Sequence, residues 1–135
     1  VMEEFMTRMA KIWLVLGATL YVTPLWAIDP VALEKQYAAE AKQSAMASRG
    51  EKFFTSRHGK DWSCASCHGV PPTKDGKHAS TDKLITPLAP AYNSKRFTDE
   101  AKVNKWFKRN CNDVLSRECS ALEKADVMAY LNSLK

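Results

Sequence analysis

Cys64-Ala65-Ser66-Cys67-His68 gathers two thiols and an imidazole within five residues. Cys-x-x-Cys-His is the attachment sequence of c-type haem. The two thiols add across neighbouring vinyl groups on one edge of the ring, and the adjacent imidazole turns beneath its centre to hold the iron. Two plainer uses of such residues are half a zinc site and a thioredoxin-like redox pair. A zinc site wants a second pair of nearby ligands, and a redox pair wants a strand before it and a helix after it. Neither pattern surrounds these residues. The expected cofactor is therefore one haem c, with Cys64 and Cys67 as its covalent anchors and His68 as the proximal axial ligand.

The opposite axial position is less obvious. A methionine well downstream of the haem motif is the usual ligand in an electron-carrying c-type cytochrome. The methionines here are Met2, Met6, Met9, Met46 and Met128, and none lies between His68 and the final helical stretch. Met128 reads as core packing. His58 and His78 sit in turn-rich segments, where a histidine is ordinarily solvated. Lysines are protonated at neutral pH and ligate poorly without a pKa shift. Asn110 ends an apolar helical face and is followed at once by Cys111. As a polar C-cap it would be ordinary, and as a carboxamide ligand it would not. The residues alone leave those two readings open.

Compartment bears on this chemistry. Arg8 and Lys11 precede a short apolar run from Ile12 to Val22, and Thr23-Pro24-Leu25-Trp26-Ala27 reads as a cleavage region. Residues 1–27 are expected to be a signal peptide and residues 28–135 a single cytochrome domain in the periplasm. The run is short of the ~20 residues that span a bilayer. Leu25 is large for the third residue before a cut, which keeps an uncleaved anchor as the weaker reading. In an oxidising space Cys111 and Cys119 are expected to pair, closing a short loop that stabilises by roughly 2–3 kcal/mol in the chain-entropy model. The formal charge is +5 with or without the signal segment, since Glu3 and Glu4 balance Arg8 and Lys11. The basic residues are scattered without interleaved aromatics, which argues against a nucleic-acid groove. A basic face can still steer an acidic redox partner.

Helices must position these groups. Asp29-Pro30 is a helix start, followed by an Ala-rich, helix-prone stretch. In Ala47 to Phe54, a small residue at Gly50 would let a second helix cross, with Phe53 packing on Tyr130. Gly69 to Asp82 is loop, and Leu84 to Pro90 reads as extended chain around the cofactor rather than a strand. Thr98 reads as the cap of a helix with Lys105, Lys108 and Arg109 towards its end. Val103, Trp106, Phe107 and Asn110 share one face of it. Ser120-Ala121-Leu122-Glu123 is a capping box, opening a last helix striped by Val127, Leu131 and Leu134. The expected fold is all-α, haem-wrapping, with crossing N- and C-terminal helices and no strands.

The stretch Pro87-Leu88-Ala89-Pro90, Arg96-Phe97-Thr98-Asp99, Val103, Lys105-Trp106, Arg109-Asn110-Cys111-Asn112, Cys119 and Glu123-Lys124-Ala125-Asp126 resembles the SHP (sphaeroides haem protein) family. These are small, class I-type monohaem cytochromes c, related to cytochrome c double-prime, which carries His where this chain has Asn110. The resemblance implies that Asn110 is the distal ligand, that His68 is the proximal one and that Cys111 and Cys119 form the disulfide. It further implies that the asparagine leaves on reduction and that oxygen, nitric oxide or carbon monoxide then binds. A carboxamide is a hard, neutral donor that ferric iron holds and softer ferrous iron gains little from. The implied partners are a redox cytochrome, multihaem or membrane b-type, and a small diatomic or nitrogen-oxide ligand, with the chain a monomer. The alternative is a simple electron-transfer cytochrome. No acid–base pair surrounds a substrate in the sequence; His58 and Asn112 are the residues that could help one. Enzyme status stays open.

Overall fold

The structure is a computed structural model and describes residues 27–135. The expected signal segment lies outside the described residues except for Ala27. Five α-helices carry the chain: α1 (Pro30–Ala41), α2 (Ala47–Thr55), α3 (Cys64–His68), α4 (Glu100–Leu115) and α5 (Ala121–Ser133). A two-residue antiparallel ladder, β1 (Gly76–Lys77) with β2 (Leu84–Ile85), and a 3-10 turn at Pro90–Tyr92 complete the elements. No described helix is long and apolar enough to cross a membrane.

Helix α1 starts as expected, with the Asp29 carboxylate accepting the Val31 and Ala32 amides at 2.8 Å each. Helix α2 is capped from afar. Met46, its N-cap, has no side-chain cap of its own. Its amide instead donates to Asp126 Oδ1 of α5 at 2.8 Å, and Arg49 pairs with the same carboxylate. The crossing of α2 over α5 depends on Gly50, because a Cβ there would overlap the Asp126 carbonyl. The aromatic fully buried at the crossing is Phe54, and Phe53 packs on the same Tyr130 cluster from its edge. Phe54 is buried with its ring 5.5 Å from Tyr130, whereas Phe53 is partly buried and lies 4.5 Å from the His58 ring.

The extensive helix pairings are α1 with α5 and α2 with α5. One core cluster joins Leu33, Tyr37, Val103, Ala125 and Met128. A second joins Phe54, Val127, Tyr130 and Leu131, with Cys64, Ala65 and Leu88 packed against it. Phe97 and Phe107 touch both, so the loop before α4 and the helix itself close the gap between them. Met128 is fully buried, as the core reading expects.

Helix α4 departs from expectation at both ends. Its N-cap is Asp99, whose carboxylate accepts the Lys102 amide at 3.0 Å. The Thr98 hydroxyl turns back to the Lys95 carbonyl instead. The helix continues to Leu115 and is capped by Ser116 in the left-handed region. Asn110 is therefore inside the helix and is not its C-cap, and Lys105, Lys108 and Arg109 lie mid-helix. Burial explains the longer run: Cys111 and Val114 continue the inward face begun by Val103 and Phe107. The β1–β2 ladder is likewise unforeseen. Gly76 runs against the Cys67 carbonyl, where any Cβ would collide, and this brings the segment alongside Leu84–Ile85.

Candidate haem and axial-ligand site

Helix α3 has one turn and a cap stronger than its length would suggest. The Ser63 hydroxyl accepts the Ser66 amide at 3.2 Å, and the Ser66 hydroxyl accepts the Ser63 amide at 2.9 Å. Gly69, at positive φ, ends the turn and donates to the Ala65 carbonyl at 2.8 Å. The Cys64 and Cys67 thiols are free and partly buried. Burial pushes the Cys64 thiol up to about 11. The Ala79 amide donates to Cys67 Sγ at 3.3 Å, so the turn between β1 and β2 rests on this sulfur.

His68 lies 6.1 Å from the Phe54 ring, centroid to centroid. Burial, reinforced by the nearby positive charge of Arg96, holds its pKa down to about 4, so the imidazole is neutral over the physiological range. Its Nδ1 is buried without a hydrogen-bond partner. The loop after it is pinned: the Pro72 carbonyl accepts the Leu88 and Ala89 amides at 3.1 and 3.0 Å. Arg96 in turn clasps the Pro87 carbonyl through Nε at 3.0 Å and the Thr86 carbonyl through Nη2 at 2.7 Å.

These residues fit haem c on their own chemistry. Two free thiols three positions apart sit on one turn, beside a neutral imidazole with an unsatisfied ring nitrogen. Gly76 lets the backbone pass directly against Cys67. No cluster of three or more His, Cys, Asp or Glu residues suited to a metal occurs among the described residues, which leaves the zinc reading without its second pair.

Asn110 stands on α4 next to Cys111, which is buried and bonded to Cys119 with a Cα–Cα distance of 5.6 Å. At about 100° per residue, Asn110 and Trp106 flank the inward face formed by Val103, Phe107, Cys111 and Val114. Trp106 is 45% exposed, and the Arg109 guanidinium stands 5.4 Å over its ring. The other candidate ligands have local partners. His58 Nε2 is 2.9 Å from the Phe53 carbonyl, and His78 Nδ1 is within 3.3 Å of the Ser80 amide. Asn112 is exposed on α4, its carbonyl accepting the Ser116 amide at 2.9 Å.

Residues 40–131 match the family described as domain of unknown function DUF1924. Over 125 residues the chain is 44% identical to the cytochrome c-type protein SHP of Cereibacter sphaeroides, covering 88% of this chain and 95% of that one. The chain belongs to the SHP family. Cytochrome c'' of Methylophilus methylotrophus is 50% identical over 78 residues, which is 58% of this chain and 54% of its own. The structure of oxidised SHP, an oxygen-binding cytochrome c, superposes with a TM-score of 0.71 at 43% identity, covering 76% of this chain and 95% of that one. Oxidised cytochrome c'' superposes at 0.66 and 39% identity, covering 77% and 93%. A solution structure of the same cytochrome, bearing on haem-ligand detachment, gives 0.66 at 38%, covering 77% and 92%. The fold is accordingly the SHP-type, class I-like cytochrome c fold, and the chain is a monohaem c-type cytochrome with haem c as cofactor.

Two contributors to this SHP-family site carry no local sequence signal: Arg96, within the stretch Arg96-Phe97-Thr98-Asp99, and Pro72, within the Gly69–Asp82 loop. Their partners are Thr86 and Pro87, and Leu88 and Ala89, nine to seventeen positions away. No local spacing rule connects them.

Proposed function

We propose that this chain is an exported, redox-gated haem protein. It accepts an electron from a partner cytochrome, Asn110 gives up its axial place, and a small diatomic or nitrogen-oxide ligand takes that place. Haem c held at this site would supply a redox-active iron. Cys64 and Cys67 would anchor it, His68 would be its proximal ligand, and Asn110 the displaceable distal one.

The observation that carries this reading is the complete burial of Met128 between α1, α4 and α5. It is committed to the core, and Met46 lies exposed at the start of α2, where its sulfur accepts from Arg49 Nη1. With both thioethers among the described residues engaged elsewhere, the carboxamide of Asn110 is a neutral donor on the flank of α4. Because Asn110 lies within the helix, its departure requires rotation of its own side chain or a shift of α4, not fraying of a terminus. Helix α4 is held to α1 by the Tyr37–Asn104 and Gln36–Glu100 hydrogen bonds, at 2.7 and 2.6 Å. The disulfide keeps the residue within rebinding distance. The exposed basic residues of α4, Lys102, Lys105 and Arg109, suit an acidic face on the electron donor. Oxygen binding by SHP favours a diatomic ligand here, and residues 1–27 favour a periplasmic home.

The test is the visible spectrum of purified holoprotein, oxidised and then reduced with dithionite under argon, with and without carbon monoxide. The expected sequence is low-spin ferric, high-spin ferrous, and prompt carbon monoxide uptake. Asn110→Ala is expected to turn the ferric form high-spin. A reduced form that stays low-spin and ignores carbon monoxide would make the protein a simple electron carrier. An Asn110→Ala spectrum identical to wild type would remove Asn110 from the iron.

A further inference from the structure

Arg96 is a half-buried cation that meets no carboxylate among the described residues. The ion pairs there are Arg49–Asp126, Lys108–Glu118 and Arg117–Glu123. Arg96 spends Nε and Nη2 on the Pro87 and Thr86 carbonyls and the Thr86 hydroxyl, which are neutral acceptors. Its Nη1 is left for another. The guanidinium borders a cleft of about 480 Å³ lined by Thr86, Pro87, Asn93, Lys95, Arg96 and Lys102. Three of these six are cations and none is an acid. The neighbouring carboxylates are engaged elsewhere: Asp99 accepts the Lys102 amide as the cap of α4, and Glu100 accepts from Gln36.

We propose that this cleft is a binding site for a small anion, a carboxylate or an oxyanion, with Arg96 as its fixed anchor and Lys95 and Lys102 as mobile counter-charges. The backbone clasp fixes the fork of Arg96 in advance, so little side-chain freedom is lost when an anion arrives. Asn93 is held as firmly, its amide nitrogen donating to Thr86 Oγ1 at 3.2 Å and to the Pro87 carbonyl at 3.3 Å. The floor of the cleft is thus rigid, and its rim carries the two flexible lysines. A charge-assisted hydrogen bond from Nη1 compensates a guanidinium otherwise given only neutral partners in a half-buried place. The same carboxylate chemistry has two sources: a propionate of the haem, since Leu88, next to the clasped Pro87, packs on the same cluster as Cys64 and Ala65, or an anion from solution. Neither source depends on which residue takes the distal position, so this site stands or falls apart from the role of Asn110.

The experiment uses 15N-labelled holoprotein, wild type, Arg96→Gln and Lys102→Gln, in two measurements. The first is a titration with inorganic phosphate at constant ionic strength, followed by the amide shifts of Asn93, Lys95 and Lys102. The second is the resonance Raman propionate bending band. Saturable shifts that vanish in Arg96→Gln and weaken severalfold in Lys102→Gln assign the site to a solution anion. No shifts, with a propionate band that moves in Arg96→Gln and by less in Lys102→Gln, assign it to the cofactor's own carboxylate. No response in either measurement overturns the site. If Arg96→Gln fails to fold for want of its clasp, the Lys95→Gln, Lys102→Gln double variant decides by the same two readouts, since neither lysine holds the Thr86–Pro87 backbone.

Discussion

The main-chain amide of Met46 donates to the carboxylate of Asp126, eighty positions along the chain, at 2.8 Å. One buried acid therefore caps α2 and, through Arg49, fixes the face that α2 turns to α5. Asp126→Ala leaves that amide and the guanidinium without their acceptor. A cap and a buried hydrogen bond are lost together, and a destabilisation of about 1–3 kcal/mol is expected. Denaturant unfolding of the holoprotein measures it. A loss below half a kilocalorie would show that water replaces the carboxylate.

Gly50 completes the same crossing. Any side chain there meets the Asp126 carbonyl, which is backbone and cannot step aside. Gly50→Ala is expected to lower the yield of folded, haem-loaded protein far more than Ala47→Gly in the same helix, by comparison of absorbance per milligram. Equal yields would mean that α2 slides on α5 without penalty.

Met128 separates the two roles a methionine can have in this fold. Fully buried in the cluster with Leu33, Tyr37 and Val103, it belongs to packing. Met128→Leu conserves volume and is expected to cost less than about 1.5 kcal/mol, whereas Met128→Ala costs about 2–5. Both variants are expected to keep the wild-type ferric and ferrous spectra. A change of spin state in Met128→Leu would place the thioether at the iron after all.

How much of this was legible beforehand follows from the range of each interaction. The haem motif, the Asp29 cap and the Ser120–Glu123 box are local patterns, and each stands where the sequence puts it. At the end of α4, Asn110 and the basic residues before it look like a helix stop. Burial of Cys111 and Val114, a tertiary effect, carries the helix on to Leu115. Thr98 and Asp99 are both good caps, and only the path of the chain through Phe97, at positive φ, selects the second. Phe53 and Phe54 are adjacent, so composition cannot say which enters the core. The Asp126 cap, the Arg96 clasp and the Gly76 approach join residues far apart in sequence or from different elements, and no periodicity announces them.

The disulfide offers a prediction tied to Asn110. Cys111 is one residue beyond it on α4, and its bond to Cys119 anchors that part of the helix to the start of α5. Replacing both cysteines by serine is expected to cost roughly 2–3 kcal/mol in the chain-entropy model. If Asn110 is the distal ligand, the freed helix should also raise the ferric high-spin fraction. Stability lost with unchanged spin populations would confine the disulfide to a structural role.

Tyr37 gives a pH dependence whose sign can be worked out. Its ring is buried, its hydroxyl donates to Asn104 at 2.7 Å, and burial with the nearby charges of Glu100 and Glu40 pushes its pKa from 10 up to about 12. An acid whose folded pKa lies above its unfolded value is held neutral by the fold. Its contribution is fully present below pH 10 and is lost as the pH rises through 12. Two units correspond to roughly 2–3 kcal/mol at most. Tyr37→Phe is expected to lose the Asn104 hydrogen bond, about 0.5–1.5 kcal/mol at neutral pH, yet to lose less additional stability between pH 10 and 12 than wild type. Unfolding free energies of the two holoproteins at pH 8, 10 and 11.5 provide the comparison. Because this hydrogen bond ties α1 to the helix bearing Asn110, the same samples report on ligation. Parallel stability curves would show that Tyr37 ionises freely in the folded protein and that its burial does not govern alkaline unfolding.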